Sequence, residues 1–178
     1  MNPDHGNYIV NIESSRLLLR NILPEDKNFL IDLWTNPVVT KYMGGPRERN
    51  KLEFDIEESI NNPFQDEYDL WIVLEKLTQN PVGHCGLLKK EVEELEEIEV
   101  IYVIDQEFWS KGYATEIAHA LIDYAFREKR INSVIALIKP QNKASEKVAI
   151  NAGMKLEKEV IRQKNTRMLL FRKENDRI

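Results

Sequence analysis

The stretch Asp105-Gln-Glu-Phe-Trp-Ser-Lys-Gly-Tyr-Ala-Thr-Glu116 decides how this chain is read. It joins an apolar, strand-like run, Ile98 to Ile104, to an amphipathic helical run, Ala114 to Phe126. Gly112 can take backbone angles closed to other residues, and the small Ala114 lets a ligand come close to the main chain. Thr115 and Glu116 open a helix whose first amides lack internal partners. A strand, a tight turn and a bare helix start together form a site for phosphate or pyrophosphate. A plain strand-turn-helix connection gives the same pattern, so the stretch alone leaves both readings open.

Periodicity and turn residues around this joint supply the other elements. Arg16 to Ile22 is a strand, and Pro24-Glu25-Asp26 begins a helix with Phe29, Leu30, Leu33 and Trp34 on one face. Asn36-Pro37 ends that helix. A charged helix from about Lys51 to Ile60 stops at Asn61-Asn62-Pro63. Strands follow at Leu70–Glu75, Pro81–Leu88 and Ile98–Ile104, with turns at Gln79-Asn80 and in the acidic run Glu91 to Glu97. The helix from Thr115 to about Lys129 carries Ala118, Leu121, Ile122 and Ala125 as one stripe. Then come a strand, Ser133–Ile138, and a helix, Lys143–Ala152, ended by Gly153. Two last strands, Lys155–Arg162 and Thr166–Arg172, flank a turn near Lys164-Asn165. This order predicts an α/β (α+β) fold, one mixed and mostly antiparallel sheet of about seven strands with about four helices.

Composition narrows the classes further. The 178 residues are 42% hydrophobic and 31% charged, which suits a single soluble domain over 1–178. A formal net charge of -5 argues against nucleic-acid binding through phosphate neutralisation. Cys85 has no second cysteine to pair with, so a reducing, cytoplasmic setting is expected. Met1 to Gly6 lacks the apolar run of a signal peptide, and no segment approaches the ~20 apolar residues of a membrane span. His5, His84 and His119 are scattered and give no metal-ligand cluster. Oligomeric state has no signature here, and a homodimer stays open.

No Walker or Rossmann glycine pattern is present. The single-glycine form Trp109-x-x-Gly112-x-Ala114 instead resembles the acetyl-CoA loop of the GNAT N-acetyltransferases, Gln/Arg-x-x-Gly-x-Gly/Ala. Trp109 replaces the usual Gln/Arg, as in the Rim-type branch, whose members acetylate N-termini of ribosomal proteins. Ser15-Arg-Leu-Leu-Leu-Arg20, Asn36-Pro37-Val38 with Tyr42-Met43, Pro81 to Leu87, and Asn142-Lys-Ala-Ser145 with Ala152-Gly153-Met154 resemble further motifs of that branch, in order. The resemblance covers about residues 14 to 173. It implies acetyl-CoA as cofactor and a primary amine as acceptor, with a protein or peptide N-terminus first and a polyamine, amino acid or aminoglycoside second. Rivals are a non-catalytic acyl-CoA-binding module and a nucleotide-binding domain.

Acetyl transfer to an amine requires a held cofactor, an acceptor for the amine proton and relief of the departing thiolate. The resemblance implies diphosphate contacts from the amides of Ser110, Lys111, Gly112, Tyr113, Ala114 and Thr115, beside Trp109. It also implies backbone pairing of Tyr102, Val103 and Ile104 with the pantetheine arm, and a contact from Asn142. Strand alternation puts Glu97, Glu99, Ile101 and Val103 on one face of their strand. Glu99 matches the Glu of the branch's Glu-Ile-Gly-Tyr stretch and is the candidate base, with Ile101 in place of the Gly. Its bland reading is a solvated member of the acidic run, a run that reads first as a solvated hairpin and second as a lure for a cationic acceptor. Ser145 is the candidate donor to the sulfur, although Asn142 and Ser145 also suit a helix start. His84 is a weaker candidate, Cys85 a small buried residue, and Tyr113 a packing residue. The acceptor pocket is expected around Thr40 to Phe64 and the last hairpin.

Overall fold

The structure, a computed structural model, describes residues 11–63, 68–162 and 165–176. In chain order the elements are β1 (Asn11–Glu13), β2 (Leu17–Arg20), α1 (Lys27–Thr35), α2 (Arg49–Asn61), β3 (Leu70–Glu75) and β4 (Pro81–Val92). They continue with β5 (Leu95–Ile104), α3 (Tyr113–Arg127), β6 (Ser133–Ile138), α4 (Lys143–Asn151), β7 (Lys155–Arg162) and β8 (Thr166–Glu174). The strands form one sheet in the order β1-β2-β3-β4-β5-β6-β8-β7. Every neighbouring pair is antiparallel except β5 and β6, which are parallel. The expected mixed sheet is present, with an eighth strand, β1, too short for its alternation to stand out. Met1 to Gly6, including His5, and Phe64 and Lys164 lie outside the described residues.

Local chemistry explains where the elements start and stop. Pro24–Asp26 forms a single 3₁₀ turn rather than the first turn of α1. Its Asp26 is buried, accepts the Leu23 amide at 2.8 Å and pairs with Arg20 at 2.6 Å. Glu48 caps α2 by accepting the amides of Asn50 and Lys51. The acidic run is not a long turn. β4 and β5 extend through it in register to Val92 opposite Leu95, leaving Glu93 and Glu94 as the loop. Both have positive φ, 49° and 68°, the backbone twist that a two-residue hairpin needs. Lysines offset the crowded carboxylates, Lys89 to Glu96 at 3.3 Å and Lys158 to Glu93 at 2.6 Å.

The two faces of the sheet bury different helices. Ile117, Ala118, Leu121, Ile122 and Ala125 of α3 pack with Cys85, Leu87, Val100 and Ile104 in one core. On the other face Leu33 and Trp34 of α1 pack on Val103, while Leu30, Ile31 and Ile56 meet Ile72 and Leu74. The alternation expected for β5 is therefore the observed one. His84, Leu88, Lys90, Glu99 and Ile101 share a cavity on the α1–α2 side, and Cys85 is sealed behind the sheet.

Candidate active site

The parallel pair at the centre of the sheet is barely a pair. β5 and β6 are in register only at Glu99 and Ile135. Beyond that point Val100–Ile104 and Ala136–Ile138 part, which opens a cleft. Asp105 donates its amide to the Val82 carbonyl at 3.0 Å. By antiparallel alternation, Val103 then turns its backbone groups to β4, while Tyr102 and Ile104 turn theirs to the cleft. Of the three expected backbone contacts, two face the gap. Val103 contributes instead to the wall behind, packed on Trp34. The Ile104 carbonyl already accepts the Trp109 indole N–H at 2.8 Å. Trp109 is otherwise 48% exposed, so it offers a ring face rather than a donor.

The decisive loop runs from the end of this cleft into α3. Ser110 and Gly112 both have positive φ, 63° and 80°. Gly112 occupies the cap position, and no side chain caps the helix. The amides of Tyr113, Ala114 and Thr115 therefore point out unspent, next to the positive end of a 15-residue helix. The loop is braced from outside. Glu116 accepts from Ser14 Oγ, the Arg16 amide and Arg16 Nε, each at 2.7 Å. Arg16 also donates to the Lys111 carbonyl at 3.0 Å. The Tyr113 ring is buried, stacks on Phe108 and donates its hydroxyl to Glu75, so only its backbone faces the loop. Lys111 rests its ammonium on the Phe108 ring, 4.5 Å from the centroid.

Across the sheet from α3, Glu99 enters a cavity of about 720 Å³ bounded by α1, α2 and the β6–β8 strands. The residue is 9% exposed, so the bland reading of a solvated carboxylate does not describe it. Burial raises its pKa above the ordinary carboxylate value, with Lys90, the Leu137 amide and Arg162 pulling the other way. Lys90 Nζ lies 4.0 Å from its Oε2. A carboxylate held this way is more basic than one in water, which suits a proton acceptor.

His84 lines the same cavity and is 7% exposed. Its Nδ1 accepts the Trp34 indole N–H at 3.0 Å, which places the ring proton on Nε2. Burial lowers its pKa to about 4, against the Leu70 carbonyl and Asp26, yet no atom of the described residues meets hydrogen-bond geometry with Nε2. A neutral ring whose one lone pair is already used cannot serve as a base; it can only donate.

At the far lip of the cleft Asn142 organises the start of α4. Its Oδ1 accepts the Ser145 amide at 3.2 Å and its Nδ2 donates to Ser145 Oγ at 2.9 Å. Since Ser145 Oγ accepts there, its own proton is free to point elsewhere. Tyr102 ties β5 to this helix, its hydroxyl donating to the Ser145 carbonyl at 3.3 Å. Burial pushes the Tyr102 phenol up to about 12, so it stays protonated. The sequence reading missed this side-chain clasp, the Trp34–His84 bond and Arg162. Their partners lie tens of residues away in the chain.

Comparison with known proteins agrees with this architecture. The sequence profile of the Acetyltransferase (GNAT) domain family matches residues 16–155. The chain is 32% identical to the uncharacterized protein YkkB of Bacillus subtilis (strain 168) over 148 residues, 83% of this chain and 86% of that one. It is 31% identical over 137 residues to the uncharacterized N-acetyltransferase p20 of Bacillus licheniformis, 76% of each. A GNAT-family acetyltransferase from Bacillus anthracis superposes with TM-score 0.80 at 22% identity, over 94% of this chain and 99% of that one. Spermidine N-acetyltransferase from Vibrio cholerae, solved with CoA and spermine, superposes at 0.73 with 18% identity, over 90% and 96%. The unpaired edge of β5 and the bare amides of α3 are the features such a cofactor needs, and the chain belongs to the GNAT acetyltransferase family, as an N-acetyltransferase that uses acetyl-CoA.

Proposed function

We propose that the chain moves the acetyl group of acetyl-CoA to a primary amine, the α-amine of a peptide N-terminus in the first instance, by direct attack. The observation that carries the reading is the buried Glu99 carboxylate at the junction of the β5–β6 cleft and a roomy cavity. The amides of Ser110 to Thr115 would hold the diphosphate, Tyr102 and Ile104 the pantetheine arm, and Asn142 its inner end. The amine enters from the α1–α2 side and forms the C–N bond as the C–S bond breaks. Glu99 takes the amine proton, directly or through one water. Ser145 Oγ–H donates a hydrogen bond to the departing sulfur, which leaves as the thiolate and takes its proton from water. Cys85 supports the direct route, because it is fully buried on the opposite face and burial raises its thiol pKa. It has no path to carry an acyl group.

The size of the cavity favours a second reading, a small-molecule amine enclosed whole. Thiol release measured over peptides, amino acids, polyamines and aminoglycosides tests both. Turnover of at least one amine is the expected result. Tight acetyl-CoA binding with no turnover on any of them would identify a non-catalytic acyl-CoA-binding module.

A further inference from the structure

The charges around the acceptor cavity are not balanced. Two of its acids are committed within α2. Glu48 accepts the Asn50 and Lys51 amides at 2.9 and 2.7 Å, and Asp55 holds the Lys51 ammonium at 2.8 Å. Asp69 accepts the Leu70 amide at 2.7 Å. Lys90 sits 4.0 Å from Glu99, while three further lining cations, Arg47, Lys139 and Arg162, have no carboxylate within 4.0 Å among the described residues. Arg47 lies over the Trp34 ring at the His84 end. Arg162 is close enough to act on the Glu99 charge, and Lys139, directly after β6, lines the same cavity. Arg162 donates Nη1 to the Glu91 carbonyl, and its Nε and Nη2 have no partner among the described residues.

A guanidinium with two N–H groups left over matches a carboxylate, and a nearby ammonium reinforces it. The nearness of Arg162 to Glu99 limits the spacing between the nitrogen that reacts and the anion that anchors it. Extra ammonium groups on a polyamine or aminoglycoside would meet like charges here. Resting on the acetyl-transfer reading above, we infer that the acceptor carries a carboxylate on the same residue as its amine, gripped by Arg162 and Lys139 while the nitrogen faces Glu99. A free amino acid and a peptide opening on aspartate or glutamate both supply this chemistry.

The test is thiol release at saturating acetyl-CoA with matched acceptors: glutamate against its diamide, a peptide opening on aspartate against its asparagine counterpart, and spermidine. Each carboxylate form should exceed its amide in kcat/KM by about tenfold or more. The amino-acid and peptide arms show which source is used. Arg162→Gln should pull that preference toward one, mainly through KM, and Lys139→Gln should do so in part. Both variants are checked for folding by their affinity for CoA, and Lys139→Gln serves if Arg162→Gln does not fold. Equal use of acid and amide, preference for spermidine, or an unchanged preference in the folded variants overturns the inference and leaves acetyl transfer standing. Intact CoA binding without turnover of any amine overturns both.

Discussion

Glu99 and His84 face the same cavity, and burial shifts each toward its neutral form with opposite consequences. For Glu99 the raised pKa makes a better base. Glu99→Gln should lower kcat/KM by about 10² or more at neutral pH, where a protonated amine must lose its proton. The deficit should shrink as pH rises and free amine accumulates; a variant with the wild-type pH–rate profile removes Glu99 from the mechanism. For His84 the folded pKa of about 4 lies below the ordinary value of 6.5. The unfolded chain therefore takes up this proton first, so stability from a neutral His84 is complete above pH 6.5 and declines as pH falls toward 4. The full loss is on the order of 3 kcal/mol. Glu99, whose pKa is raised, works the other way, since acid relieves the penalty of its buried charge. Comparing His84→Asn with wild type isolates the histidine: urea midpoints at pH 4.5 and 7 should differ less in the variant. Neither shift was legible from the sequence, which shows an acidic run and a lone histidine but not what covers them.

At the scale of elements, the loop before α3 is the part most fully written in local residues. A single glycine at positive φ turns the chain, and the helix it opens has no side-chain cap. Gly112→Ala has space, its added carbon meeting only the Arg16 guanidinium at 3.5 Å, but the left-handed backbone should cost roughly 1 kcal/mol. Gly112→Asp adds a carboxylate that competes for the bare amides and repels the diphosphate. Calorimetry should show CoA affinity reduced by more than about tenfold in Gly112→Asp and far less in Gly112→Ala. Equal losses would mean that backbone strain, not charge, explains the effect. The β4–β5 hairpin was harder to read, because its tip is rich in glutamate, a residue depleted in strands. Lysines on β4 and β7 compensate that charge, and a lysine on β7 is invisible to any window around Glu93.

For the whole molecule the separation of β5 from β6 joins the two halves of the site, since one lip carries the backbone of Tyr102 and Ile104 and the other carries Ser145. A ligand lying between them bridges the α3–α4 side and the strands and should stabilise the fold as a unit. Acetyl-CoA at about a hundredfold excess over its Kd should add roughly 2.7 kcal/mol, read as a rise in Tm. NAD and ATP at the same concentration should leave Tm unchanged, and a shift with either would reopen the nucleotide-binding alternative. The sequence by itself determined the order of elements from β2 onward, the turn at Gly112, the bare start of α3 and the kinship with GNAT acetyltransferases. These rest on periodicity and turn chemistry, which neighbouring residues set. Only the tertiary structure decided that β5 and β6 part after Glu99, that Glu99 is buried, that Cys85 is walled off and that Arg162 approaches Glu99. Desolvation and Coulomb energy depend on distance through space, and residues 63 positions apart, such as Glu99 and Arg162, acquire that distance only when the sheet has formed.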